Sequence, residues 1–281
     1  MAGPTENDQD RLAALESRVE TLTRDLERTH AVLGEVEALL ARTSARPLGG
    51  IERPNRHRAP FDPGSVKALY SRRFSEHELK KKDAIWSALA SFFAKRFPEP
   101  TRAILEIGAG EGEFLDHARA ERRVAIDMNP SVASLAARGI EAVVGDATRL
   151  YENFDDGSFD LVFCSNVLEH LYDKDQIHLV IREVRHVLRP GGRFLILQPN
   201  FRYVGPSYYD FIDHRLELTA ESVVEALEVG ELVVKECHPR FLPYTTKSRL
   251  SHFFWLVPLY VRLPFLWRFF GAQAFIVAER P

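Results

Sequence analysis

The sequence predicts an α/β protein: a mostly parallel sheet covered by helices on both faces, with a long helix in front of it. Three observations carry that expectation. From residue 103 onward, short apolar runs alternate with helical stretches, as in chained strand–helix–strand units. Three successive runs end on a glycine or an acid, at Gly108, Asp127 and Asp146. Residues 11–40 follow a different rule, with apolar positions that step by three and four.

That N-terminal seam consists of Leu12, Leu15, Val19, Leu22, Leu26, Leu33, Val36 and Leu40, with a polar insertion at Thr29. It amounts to about four heptads. Arg11 and Glu16 fall at flanking positions that attract across a parallel dimer, so a homo-oligomer through residues 11–40 is expected. The alternative is a single amphipathic helix folded back on the globular part. Residues 1–45 are read as this coiled-coil helix, 46–65 as a linker and 66–281 as the globular domain. The linker holds Pro47, Gly49, Gly50, Pro54, Pro60, Pro63 and Gly64, which interrupt regular structure. Its basic cluster, Arg53, Arg56, His57 and Arg58, reads as solvated. Residues 66–74 and 76–97 read as helices.

Beyond residue 103, strands are expected near 103–107, 122–126, 141–144, 159–164, 193–198, 231–237 and 272–279. Helices are expected near 112–119, 130–138, 174–188 and 219–228. Arg189-Pro190-Gly191-Gly192 ends one helix and launches the strand at 193. Residues 253–270 are strongly apolar, with Trp255, Tyr260 and Trp267. Arg262 and Arg268 would each cost roughly 2.5–3.5 kcal/mol near a bilayer centre. Pro258 and Pro264 would break a spanning helix. The stretch is expected to connect the last two strands, with contact to a membrane surface or a lipid-linked substrate as an alternative role.

The chemistry concentrates in Ile104-Leu-Glu-Ile-Gly-Ala-Gly-Glu-Gly-Glu-Phe114. A strand ends at Gly108, and Gly110 and Gly112 follow at alternate positions before a helix. Backbone that passes close under a ligand cannot carry a Cβ. A nicotinamide or flavin fingerprint needs its third glycine at 113, where Glu113 stands. No Gly-x-x-x-x-Gly-Lys-Ser/Thr phosphate loop is present. The turn carries Glu106, Glu111 and Glu113, which would repel a pyrophosphate and favour a cationic cofactor. S-adenosyl-L-methionine, with its sulfonium and ammonium, fits that description.

Each later strand end has a matching role. Asp127, about twenty residues beyond the first strand, is placed to accept both ribose hydroxyls. Met128 can lie against the adenine face. Asp146 can accept from the adenine amino group, with the backbone of Ala147 alongside. Glu106 can orient the turn or reach the ammonium through water. Helix capping or turn formation is the alternative role of Asp127 and Asp146.

The chain here resembles the class I S-adenosylmethionine-dependent methyltransferases. The resemblance covers about residues 100–281. It rests on the Glu106–Gly112 loop, Asp127, Asp146-Ala147, the Ser165–His170 segment and the Leu188–Gly192 turn, in the family's order. It implies a Rossmann-like, seven-stranded sheet of order 3-2-1-4-5-7-6 with the last strand antiparallel. It also implies a cofactor site that includes Gly108, Ala109, Gly110, Gly112, Ser165 and Asn166. In this family, helices before the first strand close over the cofactor, a role open to Tyr70 and Phe74. More loosely, residues 66–98 and 200–247 look like a bacterial subgroup found beside polysaccharide and secondary-metabolite pathways.

A hydroxyl acceptor needs a base, and histidine suits that task near neutral pH. His170 begins a helix after the fourth strand. His214 lies in an aromatic segment after the fifth, Tyr208-Tyr-Asp-Phe-Ile-Asp-His214, which reads as a lid over an acceptor pocket. His214 is the preferred base and His170 the second candidate.

The formal net charge is −3, so general attraction to nucleic acid is not expected. Two cysteines, Cys164 and Cys237, provide no disulfide framework and no metal-ligand pairing, and no metal is expected. A reducing, cytoplasmic setting fits, and the polar, acidic N-terminus is not a signal peptide. A methyltransferase with a small-molecule acceptor, such as a sugar hydroxyl, is the leading expectation. An RNA or protein methyltransferase, or a non-catalytic cofactor-binding scaffold that recruits a partner through its coiled coil, are the alternatives. Ser165-Asn166-Val167-Leu168 stands where amino-directed enzymes often carry Asn-Pro-Pro-Tyr.

Overall fold

The computed structural model describes residues 76–97, 101–244 and 256–281. The coiled-coil seam, the linker with its basic cluster, and Tyr70 and Phe74 lie outside the described residues.

Helix α1 (Glu76–Arg96) leads into β1 (Ala103–Ile107), the short α2 (Glu113–His117) and β2 (Arg122–Asp127). A 3-10 helix (Pro130–Arg138), β3 (Glu141–Val144), a second 3-10 stretch (Ala147–Glu152) and β4 (Phe159–Ser165) follow. A 3-10 turn (Leu168–His170), α3 (Lys174–Val187) and β5 (Leu188–Pro199) come next. The rest comprises α4 (Phe201–Val204), a 3-10 stretch (Gly205–Asp210), α5 (Ala220–Val229), β6 (Val233–Leu242), α6 (Val257–Tyr260), α7 (Pro264–Phe270) and β7 (Gln273–Glu279).

The seven strands form one sheet in the order β3-β2-β1-β4-β5-β7-β6. Strands β1 to β5 pair in parallel, and β7 runs antiparallel to both β5 and β6. Both expected properties, the order and the reversed last strand, are present. The order reverses between β1 and β4, so their carboxyl ends flank a crevice where ligands of such sheets bind.

All five residues of β1 are buried, as a central parallel strand requires. One face holds Leu105, Ile107, Val162, Cys164 and Ile196 against helices α3 and α5. The other holds Ile104, Phe163, Leu195 and Phe275 against Leu89 and Phe93 of α1 and Phe114 of α2. Here rings fill the core, with Phe114–Phe163 centroids 4.2 Å apart and Phe93–Phe275 centroids 5.1 Å apart. This ring cluster pins the glycine turn between β1 and α2 to the sheet.

Boundaries differ from expectation where the backbone is unusual. The 130–138 segment is 3-10 rather than α-helical. Its buried residues, Val132 and Leu135, are three apart, the repeat of a 3-10 helix. The 112–119 helix shrinks to one turn at 113–117, because Ala118 turns extended. Strand β5 starts five residues early, since Leu188 already pairs with Phe159 before a register shift. Strand β6 begins late, at Val233, because Glu231 adopts φ 59°, and it runs on to Leu242, which pairs with Gln273.

The apolar stretch before β7 forms α6 and α7, as a connector between the last two strands. Trp267 is buried, whereas Leu259, Phe265, Phe269 and Phe270 are exposed. Among the described residues, no helix is long and apolar enough to cross a membrane.

Candidate functional site

The glycine turn is held from both sides. The amides of Gly108 and Ala109 donate to the carbonyl of Ile126 at the end of β2, at 2.8 and 3.3 Å. Arg138 clasps the outer side through the carbonyl of Glu111 and the carboxylate of Asp116. All three glycines have positive φ, a conformation that costs other residues energy.

Their roles nevertheless differ. A Cβ at Gly108 would lie 2.3 Å from Cγ2 of Val167, and one at Gly112 would lie 2.8 Å from Leu135. These two glycines allow close packing of protein on protein. Among the described residues, a Cβ at Gly110 would meet nothing within 4 Å, so a ligand can approach its backbone from that side, and the backbone of Gly108 is itself exposed.

Asp127 is tied to the turn. Its Oδ2 accepts from the amide of Gly110 at 2.9 Å and its Oδ1 from the amide of Asn129 at 2.8 Å. The turn-forming role therefore exists, and both oxygens keep a second lone pair for a ligand hydroxyl. Asp146 accepts from the amide of Thr148 at 2.8 Å and caps the 3-10 stretch that begins at Ala147, so its capping role also exists. Met128 is 54% exposed, and Ala147 is buried. Asn166 has φ 53° and donates to the hydroxyl of Ser165 at 3.2 Å.

The three carboxylates of the turn sit in different settings. Glu106 is buried beneath the turn, and burial with Glu113 and Asp127 nearby raises its pKa well above the usual carboxylate value. Glu113 pairs with Lys82 at 3.4 Å. Glu111 is the exposed carboxylate of the three. A cationic ligand would meet Asp127 and Glu111 rather than three free acids.

On the other side of Val167, the two candidate histidines come together. Their ring centroids are 5.0 Å apart. The 3-10 turn after β4 presents His170, and the amides of Arg215 and Leu216 both donate to the carbonyl of Glu169, at 2.8 and 3.2 Å. That pair of bonds seats His214 against His170. Nδ1 of His170 lies 3.0 Å from the carbonyl of Asp213, and Nδ1 of His214 lies 3.0 Å from the carbonyl of Tyr208. A carbonyl only accepts, so Nδ1 of each ring donates there, with the Tyr244 hydroxyl also 3.3 Å from Nδ1 of His214 and Oδ2 of Asp213 3.7 Å from Nδ1 of His170.

The expected lid is largely a structural clasp. Tyr208 is fully buried and its hydroxyl donates to the carbonyl of Leu216. It offers no ring to a ligand. Tyr209 and Tyr203 are exposed, the former bonded to Glu217 and the latter beneath the guanidinium of Arg240.

Sequence reasoning missed Glu169. It is wholly buried, its pKa is raised by that burial, and the side chain of Gln198 is a polar neighbour of its carboxylate among the described residues. Glu169, His170 and His214 offer ligand-type atoms that all lie within 4.8 Å of one another. The available signal was an acid–histidine pair directly after a buried strand, with a second histidine on the next returning segment.

Residues 105–196 match a family model described as a methyltransferase domain. The chain is 32% identical over 140 residues to a probable S-adenosylmethionine-dependent methyltransferase of Mycolicibacterium smegmatis, covering 48% of this chain and 53% of that one. It is 29% identical over 166 residues to norajmaline N-methyltransferase of Rauvolfia serpentina, covering 54% and 53%. The chain thus spans about half the length of these curated relatives. A crystal structure of a SAM-dependent methyltransferase from Archaeoglobus fulgidus superposes with a TM-score of 0.53 at 18% identity, covering 76% of this chain and 99% of that one.

Proposed function

We propose, from the premise that this chain belongs to the class I S-adenosylmethionine-dependent methyltransferase family, that it methylates a hydroxyl of a small metabolite. The observation that carries this reading is the bond between Asp127 and Gly110. It joins the acid at the end of β2 and Gly110 of the glycine turn at the strand-order reversal.

Bound there, S-adenosylmethionine supplies a methyl group on a sulfonium, activated for in-line displacement. Asp127 takes the ribose hydroxyls. The Gly110 backbone lies along the methionine part, and Met128 and Asp146 flank the adenine. The acceptor enters beside His170 and His214, the two rings that stand 5.0 Å apart. Holding the acceptor oxygen about 3–3.5 Å from the methyl carbon supplies most of the acceleration. Norajmaline N-methyltransferase is named for a small-molecule acceptor, which supports that acceptor class. The heptad seam at residues 11–40 is proposed to make the chain a homo-oligomer.

The test is radiolabelled methyl transfer from S-adenosylmethionine to panels of nucleotide sugars, glycosides and lipids, with tRNA and protein as comparison acceptors. Transfer to a hydroxylated small molecule is the expected result. Transfer to RNA or protein alone overturns the acceptor class, and preferential binding of NAD overturns the cofactor.

A further inference from the structure

We propose that Glu169, His170 and His214 form a binding site for a divalent transition-metal ion of the zinc type. Their ligand-type atoms lie within 4.8 Å of one another, and the residues come from two segments joined by the backbone bonds to the Glu169 carbonyl.

Three independent observations point to a cation. First, the donor set is two imidazoles and one carboxylate, which suits zinc and its first-row neighbours and leaves positions open for a further ligand. Second, both rings hand their Nδ1 proton to a backbone carbonyl, at 3.0 Å each. A metal-ligating histidine is held in this way, because the outer hydrogen bond fixes the tautomer that leaves Nε2 free of a proton. Third, the carboxylate of Glu169 is wholly buried beside the two rings, with the side chain of Gln198 as its other polar neighbour among the described residues. A buried carboxylate is costly, and a cation between it and the rings lowers that cost.

Zinc bonds of about 2.0–2.2 Å set ligand atoms roughly 3.3–3.5 Å apart. Side-chain rotation on metal binding would have to close the remaining distance. The two histidines are only partly buried, so the fourth position opens toward solvent.

This inference deepens the functional reading and rests on it for its purpose. An ion there would hold the acceptor hydroxyl and acidify it, as bound zinc acidifies water. The hydroxyl proton would pass to bulk water, and the histidines would act as ligands in place of a base. It also gives the buried Glu169 a task that proton abstraction by a histidine does not require.

The experiment uses the untagged full chain, stripped with a chelator, then titrated with Co2+ by visible absorption and with Zn2+ by chelator competition. One equivalent should bind, with cobalt ligand-field bands. Glu169→Gln, which preserves shape, and His170→Ala should each weaken binding tenfold or more. His238→Ala should not, since that ring pairs with Glu236 on β6 at 3.3 Å. A thermal unfolding curve for each variant checks that it folds, and Glu169→Gln decides if a histidine variant does not. No stoichiometric binding by the wild type, or equal binding by Glu169→Gln, overturns the site. Cofactor binding is measured separately by calorimetry. Metal binding without cofactor binding would sink the functional reading and leave the site standing. Cofactor binding and turnover that survive chelation would leave the functional reading standing and overturn the ion's role in it.

Discussion

The amide of Gly110 and the carboxylate of Asp127 are joined at 2.9 Å, so the turn after β1 and the end of β2 move as one body. Any ligand that takes the outer lone pairs of Asp127 is thereby registered against the glycine backbone. Asp127→Ala should weaken S-adenosylmethionine binding at least tenfold, or about 1.4 kcal/mol, by calorimetry. Asp127→Asn, which keeps one acceptor oxygen, should fall in between. Unchanged affinity in the alanine variant would remove Asp127 from the site.

Gly108 and Gly110 should respond differently to the same methyl. Among the described residues, alanine at 110 meets nothing within 4 Å, so its cost is that of the left-handed backbone, about 1–2 kcal/mol. Alanine at 108 strikes Val167 and adds an overpacking cost of about 1–3 kcal/mol. Chemical denaturation should rank Gly108→Ala as less stable, while cofactor titration of the folded fraction should show the larger loss in Gly110→Ala. Equal stabilities would contradict the packing role of Gly108.

Glu106 makes stability depend on pH in a defined direction. Its folded pKa is raised above the unfolded value of 4.5, chiefly by burial. The folded state therefore holds a proton that the unfolded chain has released above that value. Its contribution is complete below about pH 4.5 and is lost as pH rises toward the folded pKa. Glu106→Gln should match the wild type near pH 4.5 and exceed it at pH 7–8 in urea midpoints. A variant that is less stable at every pH would show that the ionised carboxylate is needed.

The paired histidines should matter for turnover and not for cofactor affinity. His214→Ala should lower the rate by roughly 10²–10⁴. Because the rings lie 5.0 Å apart and share a tie through residue 169, His170→Ala should lose activity to a similar degree. Loss in only one of the two would assign the role to that ring alone.

Deleting residues 1–45 should lower the solution mass by light scattering and leave cofactor binding intact. A full-length protein that is monomeric at micromolar concentration would refute self-association through the heptad seam.

Much of the fold was legible because its cause is local. Apolar runs of strand length, broken by glycine or acid, announce βαβ units, and Gly108, Asp127 and Asp146 mark strand ends by residue type alone. Even the three-residue spacing of Val132 and Leu135 is printed in the chain, although its 3-10 outcome was not read from it. Four things were decided only by tertiary structure. Val167 and Leu135 explain two glycines through contacts between segments distant in sequence. Burial under α2 raised the pKa of Glu106, and Lys82 took up Glu113. Tyr208 became a buried clasp instead of a stacking surface. The bonds from Arg215 and Leu216 to residue 169 brought His214 to His170 and Glu169. Sequence by itself determines where a strand ends and which residue types stand there. Whether a carboxylate is charged, and which side chains across forty residues of chain meet, depends on desolvation and distance, which exist only once the sheet is assembled.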